Sequence, residues 1–399
     1  MTAAETLKAV PSSKLRSLKA LCSLVCFLLL ASNVWSMSHW NEARGVYDDV
    51  CYLRQAHLFQ RFGLGGFDTD ISRDDDQYVA FKLKEIAFPT WNDPAMVPCH
   101  TLMPASGKRV IQYPPGTGLL LALFPQGHQV IPLYVAASVI LFGFALLGIA
   151  AARTVPSVVV AGALGFLAIY LMINPSKAGY SMAPTMAACA LAGYLTARLL
   201  IDTPPSRRVV MASLLGLVLG VSVNFRLPNL FLASGYILFL LVAFVWSRKI
   251  STFMQGAGFG VAWLAGMAPT LISNAINAGS PLATTYGGQD VTPPGFSFDT
   301  ILQYGADLQF VLLLLAGGWI GWIFFARREE GIRRVARLVG ANLVLNLAFF
   351  LSHPIVTPYY TIPIAMLSLW SLMFASLSVD VQFPKFAIPR RSNHSSSWS

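Results

Sequence analysis

The residues best suited to water-phase chemistry lie in one polar stretch between two apolar runs, from about Ser38 to Tyr113. It opens on Tyr47-Asp48-Asp49, holds Asp68, Asp70, Asp74, Asp75 and Asp76, and closes on Tyr113-Pro114-Pro115-Gly116. Acids this dense could gather calcium or magnesium, which prefer oxygen ligands. The stretch lacks the Gly and the distal Glu of a calcium loop, so a solvated acidic loop is the favoured reading, with a divalent metal left open. Two prolines fix an extended turn, and Gly116 lets the chain reverse before Thr117–Phe124, an apolar run too short to span a membrane. Such a rigid turn with an aromatic residue suits the wall of a lipid-linked substrate site, or serves simply as a re-entry turn.

From Tyr47 to Gly63 apolar residues recur at three- and four-residue steps, which predicts an amphipathic helix along the outer membrane face, capped by Gly63. Asp48 and Asp49 fall in its first turn, where carboxylates also complement the helix dipole. Cys51 and Cys99 share this stretch, and a disulfide between them is open if that side is oxidising. Cys22, Cys26 and Cys189 fall in apolar runs, where small apolar packing is the expected role, and no cysteine spacing suggests structural zinc.

The elements that must position these residues are membrane spans. The chain is 55% hydrophobic and only 12% charged. Runs long enough to cross a hydrocarbon core of about 30 Å as helices recur along it. We expect an all-α integral membrane protein of about ten transmembrane helices, near 18–37, 129–151, 157–174, 182–201, 209–225, 227–246, 252–273, 303–325, 335–352 and 359–379. Residues 1–17 form a cytoplasmic tail, 18–379 a single multispanning domain with outer loop 1 and a re-entry segment over 38–128, and 380–399 a disordered cytoplasmic tail. The basic start and apolar run could also be a signal peptide, but the run is long and Ala31-Ser32-Asn33 is a poor cleavage site, so an uncleaved anchor is expected.

Lys8, Lys14, Arg16 and Lys19 precede the first span, and alternate connections carry Arg153, Arg207 and Arg208, Arg248 and Lys249, and Arg327 to Arg337. The positive-inside rule places these ends in the cytoplasm. The net charge of +10 is then mostly an insertion signal rather than a sign of nucleic-acid binding. Thirteen of the 18 acidic residues fall on the outer side, ten of them in loop 1. In the short outer connections the only basic residues are Lys177 and Arg226.

This order of features resembles the GT-C class of integral membrane glycosyltransferases that use polyprenyl-phosphate sugars. Its carriers are paired acids ahead of Tyr52-Leu53-Arg54-x-Ala56, the Tyr113-Pro114-Pro115-Gly116 turn, Asn224-Phe225-Arg226-Leu227-Pro228-Asn229, the stretch from Asn274 to Gly287, and Pro358-Tyr359-Tyr360-Thr361-Ile362-Pro363. The resemblance implies transfer of a sugar from a polyprenyl-phosphate donor to a lipid or glycan acceptor on the outer face of a bacterial inner membrane, with inversion. By position it implies Asp49 or Asp48 as general base. Arg226 and Lys177 would bind the lipid phosphate, and Tyr113, Tyr286, His353, Tyr359 and Tyr360 would contact the substrates. Interface anchoring and snorkelling are the plainer roles for the tyrosines and the cations. No soluble C-terminal domain is expected after the last span, which leaves acceptor recognition to loop 1.

Two other functions compete. A transporter or flippase would place polar groups within spans, and only Arg198, Asp307, Asn342 and Asn346 are near or in them, without a visible repeat. A catalytically silent protein could also keep the same fold.

Overall fold

The computed structural model describes residues 12–42, 49–174, 179–286, 294–326, 328–353, 357 and 359–379. Asp48 and Lys177 lie outside them. Helices dominate: α1 (Ser12–Met37), α5 (Val130–Ala151), α6 (Val155–Leu171), α7 (Met182–Ala197), α8 (Arg208–Val223), α9 (Ser234–Ser247), α10 (Ile250–Gly266), α11 (Ala268–Ala278), α12 (Phe298–Ala306), α13 (Leu308–Phe325), α14 (Glu330–Ser352) and α15 (Ile362–Val379) form the bundle. Among the described residues seven helices are long and apolar enough to cross a membrane, and a bent pair makes an eighth. α6 and α15 are apolar but shorter.

Each expected span contains helix, but two are interrupted. The 252–273 stretch bends by 51° between α10 and α11, where Pro269 starts a new helix that cannot continue the old hydrogen-bond ladder. The 303–325 stretch breaks at Asp307, whose carboxylate caps α13 by accepting from the Gln309 N–H at 2.9 Å.

α15 is the most deeply buried span, with every residue from Ile362 to Ala375 buried. It packs against α7, α13 and α14. α1 lies on α5 and α6, tied by Asn33 Nδ2 donating to the Ile169 carbonyl at 2.7 Å. The outward faces of α1, α9, α10 and α13 expose leucine, valine and phenylalanine. A soluble domain would bury those side chains; hydrocarbon accepts them.

Loop 1 folds into a unit of its own. It holds α2 (Asp49–Phe62), α3 (Tyr78–Glu85), a hairpin of β1 (His100–Leu102) and β2 (Arg109–Ile111) in register His100↔Ile111, and α4 (Gly116–Leu121). The hairpin departs from the expected all-α loop. α2 departs further, since every residue from Asp49 to Phe59 is buried and it is no surface-lying amphipathic helix. Its polar side chains find partners inside: Arg54 donates to the carbonyls of Thr69 and Asp70 and to His100 Nε2, and Gln55 donates to the Tyr113 carbonyl. Gly63 does end it, at φ +56°. A Cys51–Cys99 disulfide, with Cα atoms 6.5 Å apart, joins α2 to the hairpin.

Candidate functional site

The segment Asn224-Phe225-Arg226-Leu227-Pro228-Asn229 folds as a stapled turn between α8 and α9. Asn224 donates through Nδ2 to the Gly266 carbonyl at 2.7 Å and accepts at Oδ1 from the Thr270 N–H at 2.9 Å, which fixes the end of α8 to the bend between α10 and α11. Asn229 Nδ2 donates to Thr185 Oγ1 at 2.9 Å and to the Ser222 carbonyl at 2.8 Å. Pro228 opens a 3-10 turn over Leu227–Ala233, leaving Arg226 extended between the two asparagines. The Tyr-Pro-Pro-Gly turn docks on the same staple. Gly116 N–H donates to the Asn224 carbonyl at 2.7 Å, and a Cβ on Gly116 would come within 2.6 Å of the Asn224 side chain. Only glycine permits that approach.

Arg226 is 7% exposed. Its guanidinium carbon lies 4.6 Å from the ring centre of Tyr359 and 5.5 Å from that of Tyr360, and Nη1 reaches the Met182 sulfur at 2.8 Å. No described carboxylate comes within ion-pair distance of it. Ring faces and a thioether offset part of the cost of burying this charge. Gln309 holds the two tyrosines in place, donating to the Thr357 carbonyl at 2.8 Å and accepting from the Thr361 N–H at 2.7 Å across the α14–α15 connection.

Asp49 is 2% exposed, at the first turn of α2. Its Oδ1 accepts from the Tyr180 N–H at 2.9 Å, so it reaches across to the α6–α7 connection. The Tyr180 hydroxyl donates to the Glu42 carbonyl at 3.0 Å. Tyr52, one turn along α2, stacks on Tyr113 with centroids 5.1 Å apart, and Tyr286 meets Tyr113 edge-on at 6.1 Å. Burial, and then the neighbouring Tyr286, push the Tyr52 phenol well above its ordinary value, although a hydrogen bond from Ser181 and the Arg226 charge oppose this.

These groups enclose one small polar cavity of about 60 Å³, lined by Asp49, Tyr52, Tyr113, Arg226, Tyr286, Tyr359 and Tyr360 with Gly179, Ser181 and Pro228. Its walls come from loop 1 and from the α6–α7, α8–α9, α11–α12 and α14–α15 connections, which alternate along the chain. The arginine-rich connections alternate with these, a helix length away. Six residues named from sequence therefore meet in one place: Asp49, Tyr113, Arg226, Tyr286, Tyr359 and Tyr360.

His353 does not line the cleft. It caps the last turn of α14, with Nδ1 2.8 Å from the Phe349 carbonyl and its ring on Phe349. Tyr52 and Ser181 were missed by sequence reading. Tyr52 was within reach of it, because Asp49 and Tyr52 are three residues apart on one helix and share a face.

The acid cluster stays partly solvated, with Asp75 and Asp76 exposed, but basic side chains pair with its carboxylates. Asp76 lies 2.7 Å from His57 Nε2, Asp75 2.6 Å from Arg61, Asp68 3.8 Å from Arg73 and 3.5 Å from Lys108, and Asp74 4.0 Å from the buried Arg54. Asp70 caps the Ile71–Arg73 turn. The one grouping with metal-ligand geometry among the described residues, Cys51, Cys99 and His100, has its two sulfurs in the disulfide. His100 is held neutral with its pKa lowered to about 3, first by burial and then by the Arg54 charge. With Arg54 donating to Nε2, the ring proton sits on Nδ1 and is donated to the Pro98 carbonyl at 2.8 Å.

The polar residues near or in the spans are structural. Asn342 accepts from the Gly235 N–H and donates to the Leu232 carbonyl, both at 2.9 Å, Asn346 donates to the Phe231 carbonyl at 2.9 Å, and Arg198 pairs with Asp202 at 3.7 Å. Compared with protein-family models, with curated proteins and with solved structures, the chain matches none.

Proposed function

We propose that this chain is a membrane glycosyltransferase, moving a sugar from a polyprenyl-phosphate donor to a lipid or glycan acceptor at the end of the bundle that holds loop 1. The observation that carries the reading is a buried carboxylate, Asp49, and a buried guanidinium that no carboxylate among the described residues pairs with, Arg226, lining one aromatic cleft. The acceptor oxygen attacks the anomeric carbon, and its proton passes to the Asp49 carboxylate. The bond from that carbon to the lipid-phosphate oxygen breaks, and its electron pair leaves with the phosphate. Arg226 meets this leaving anion, which a fork of N–H donors suits better than an ammonium. Displacement in one step inverts the anomeric centre.

The cavity is small, about 60 Å³, so this reading requires it to widen around a sugar donor. Tyr359 and Tyr360, already against Arg226, stand where a lipid phosphate would enter from the membrane. The disulfide belongs to an oxidising compartment, and the arginine-rich connections belong to the cytoplasm. Both favour the outer face for the cleft, and the bacterial inner membrane fits that pairing. Asn342, bonded through both its oxygen and its nitrogen around the start of α9, favours a packing role over a transport path.

The test is transfer of label by purified protein from a polyprenyl-phosphate sugar to a membrane glycan extract. Asp49→Asn should cut transfer steeply while leaving the protein folded, and full activity in that variant would remove the assignment of the base. Chelator treatment of the same preparation reports whether a divalent metal assists.

A further inference from the structure

The far end of the bundle carries a second set of unusual features, on the hairpin of α9 and α10. Glycines on α10 fall into two groups. Toward α8, a Cβ on Gly266 would come within 2.6 Å of the Leu217 carbonyl oxygen and one on Gly258 within 2.7 Å of Ser213 Oγ, so those glycines serve helix packing. Toward α9, Gly260 has nothing within 4 Å and Gly256 only Leu240 Cβ at 4.0 Å. They floor an apolar groove of about 420 Å³, walled by Leu241, Phe244, Phe253 and Trp263. Leu241 and Phe253 are about half exposed there, so the groove opens sideways to hydrocarbon rather than into the core.

Leu240, Thr252 and Phe259 line both this groove and a smaller cavity beside it, which Arg208, Gln255 and Arg334 also reach. Arg208 is steered by its Nε–H, which donates to the Thr203 carbonyl at 3.2 Å, and no described carboxylate pairs with it. Arg334 lies 3.6 Å from Glu330, a carboxylate it shares with Arg333 and Arg337, so positive charge is in excess. Asp202 is taken by Arg198. An apolar groove in a bilayer is filled by acyl chain, and a guanidinium at its end selects the headgroup by charge.

We propose that this is a binding site for an anionic diacyl phospholipid of the arginine-rich leaflet. One acyl chain lies along the glycine floor between α9 and α10, and Arg208 and Arg334 hold the headgroup phosphate. The site is independent of the cleft at the other end and does not depend on what reaction the cleft performs.

Delipidated full-length protein in detergent, titrated with dioleoyl phosphatidylglycerol or dioleoyl phosphatidylcholine and read by native mass spectrometry, tests it. The wild type should retain phosphatidylglycerol preferentially. Arg208→Gln should weaken phosphatidylglycerol by roughly fivefold and leave phosphatidylcholine unchanged, the effect of one interfacial charge. Gly260→Leu fills the groove and should weaken both lipids alike, without lowering the melting temperature of the lipid-free protein. Equal retention of the two lipids by the wild type would overturn the proposal, as would phosphatidylglycerol binding that neither substitution changes.

Discussion

Asp49 and Arg226 carry opposite charges in one cleft without closing on each other, and each is oriented by a different element. The Asp49 carboxylate is held by the Tyr180 N–H, a bond that asparagine can still accept. Asp49→Asn should therefore keep the fold and lose about 10²–10⁴-fold in turnover, the usual worth of a general base, as read by single-turnover transfer and by thermal unfolding. Arg226→Lys keeps the charge but loses the planar fork that lies against Tyr359 and Tyr360. Transfer assays at varied donor should show a raised donor KM for Arg226→Lys and a larger loss for Arg226→Gln.

His100 contributes to the pH response of loop 1. Its folded pKa of about 3 lies below the unfolded value near 6.5, so the unfolded chain binds the proton first. The stability this neutral ring contributes is complete above pH 6.5 and is lost as pH falls toward 3, by at most about 1.4 kcal/mol per pH unit. Hydrogen exchange of loop 1 at pH 7 and pH 5 should show the loss. His100→Asn, which can still accept from Arg54 but cannot take a proton, should flatten it.

At the scale of elements, loop 1 is a folded unit stapled to the bundle rather than a linker lying on it. The Cys51–Cys99 bridge closes a sequence separation of 48 residues. Removing it should cost about 2–5 kcal/mol of that unit's stability, seen as faster proteolysis within 63–109 in Cys51→Ser/Cys99→Ser or after reduction. Gly118 lets α4 meet α2 at Gln55, and Gln55 in turn holds the Tyr113 carbonyl. Asn224 gathers the Tyr-Pro-Pro-Gly turn, the end of α8 and the start of α11. Asn224→Ala would strand buried N–H and carbonyl groups, a penalty of about 1–3 kcal/mol for each group left unpaired. Thermal unfolding should fall, and transfer should fall with it as Arg226 loses its frame.

Taken as one molecule, the bundle has a cleft end with the disulfide and an arginine-rich end with the lipid groove. A membrane-impermeant maleimide should label Ser106→Cys in the β1–β2 loop of intact cells and spare Ser206→Cys between α7 and α8 until the cells are opened; both sites are exposed. Much of the fold was legible in the chain. Apolar run length dictated where helices form, because a backbone in hydrocarbon must bond to itself, and the residues that break the pattern, Pro269 and Asp307, are where expected spans divide. The cleft residues could be named one by one from the family resemblance and from their place at span ends, where interface anchoring is the competing role for the tyrosines.

Sequence by itself could not show that they meet. Asp49 and Arg226 are 177 residues apart, and nothing in local pattern reports a contact between connections that only the packing of α7, α8 and α15 brings together. The same limit explains the acid cluster and α2. Acids read one at a time look solvated, and a helix with Arg54, Gln55 and His57 looks half-exposed, until the partners supplied by distant segments are in place. Composition and period determined that the chain forms membrane-length helices with a polar loop. Side-chain pairing across long separations, a property of the packed chain, decided that the loop folds inward and that one carboxylate and one guanidinium share a cleft.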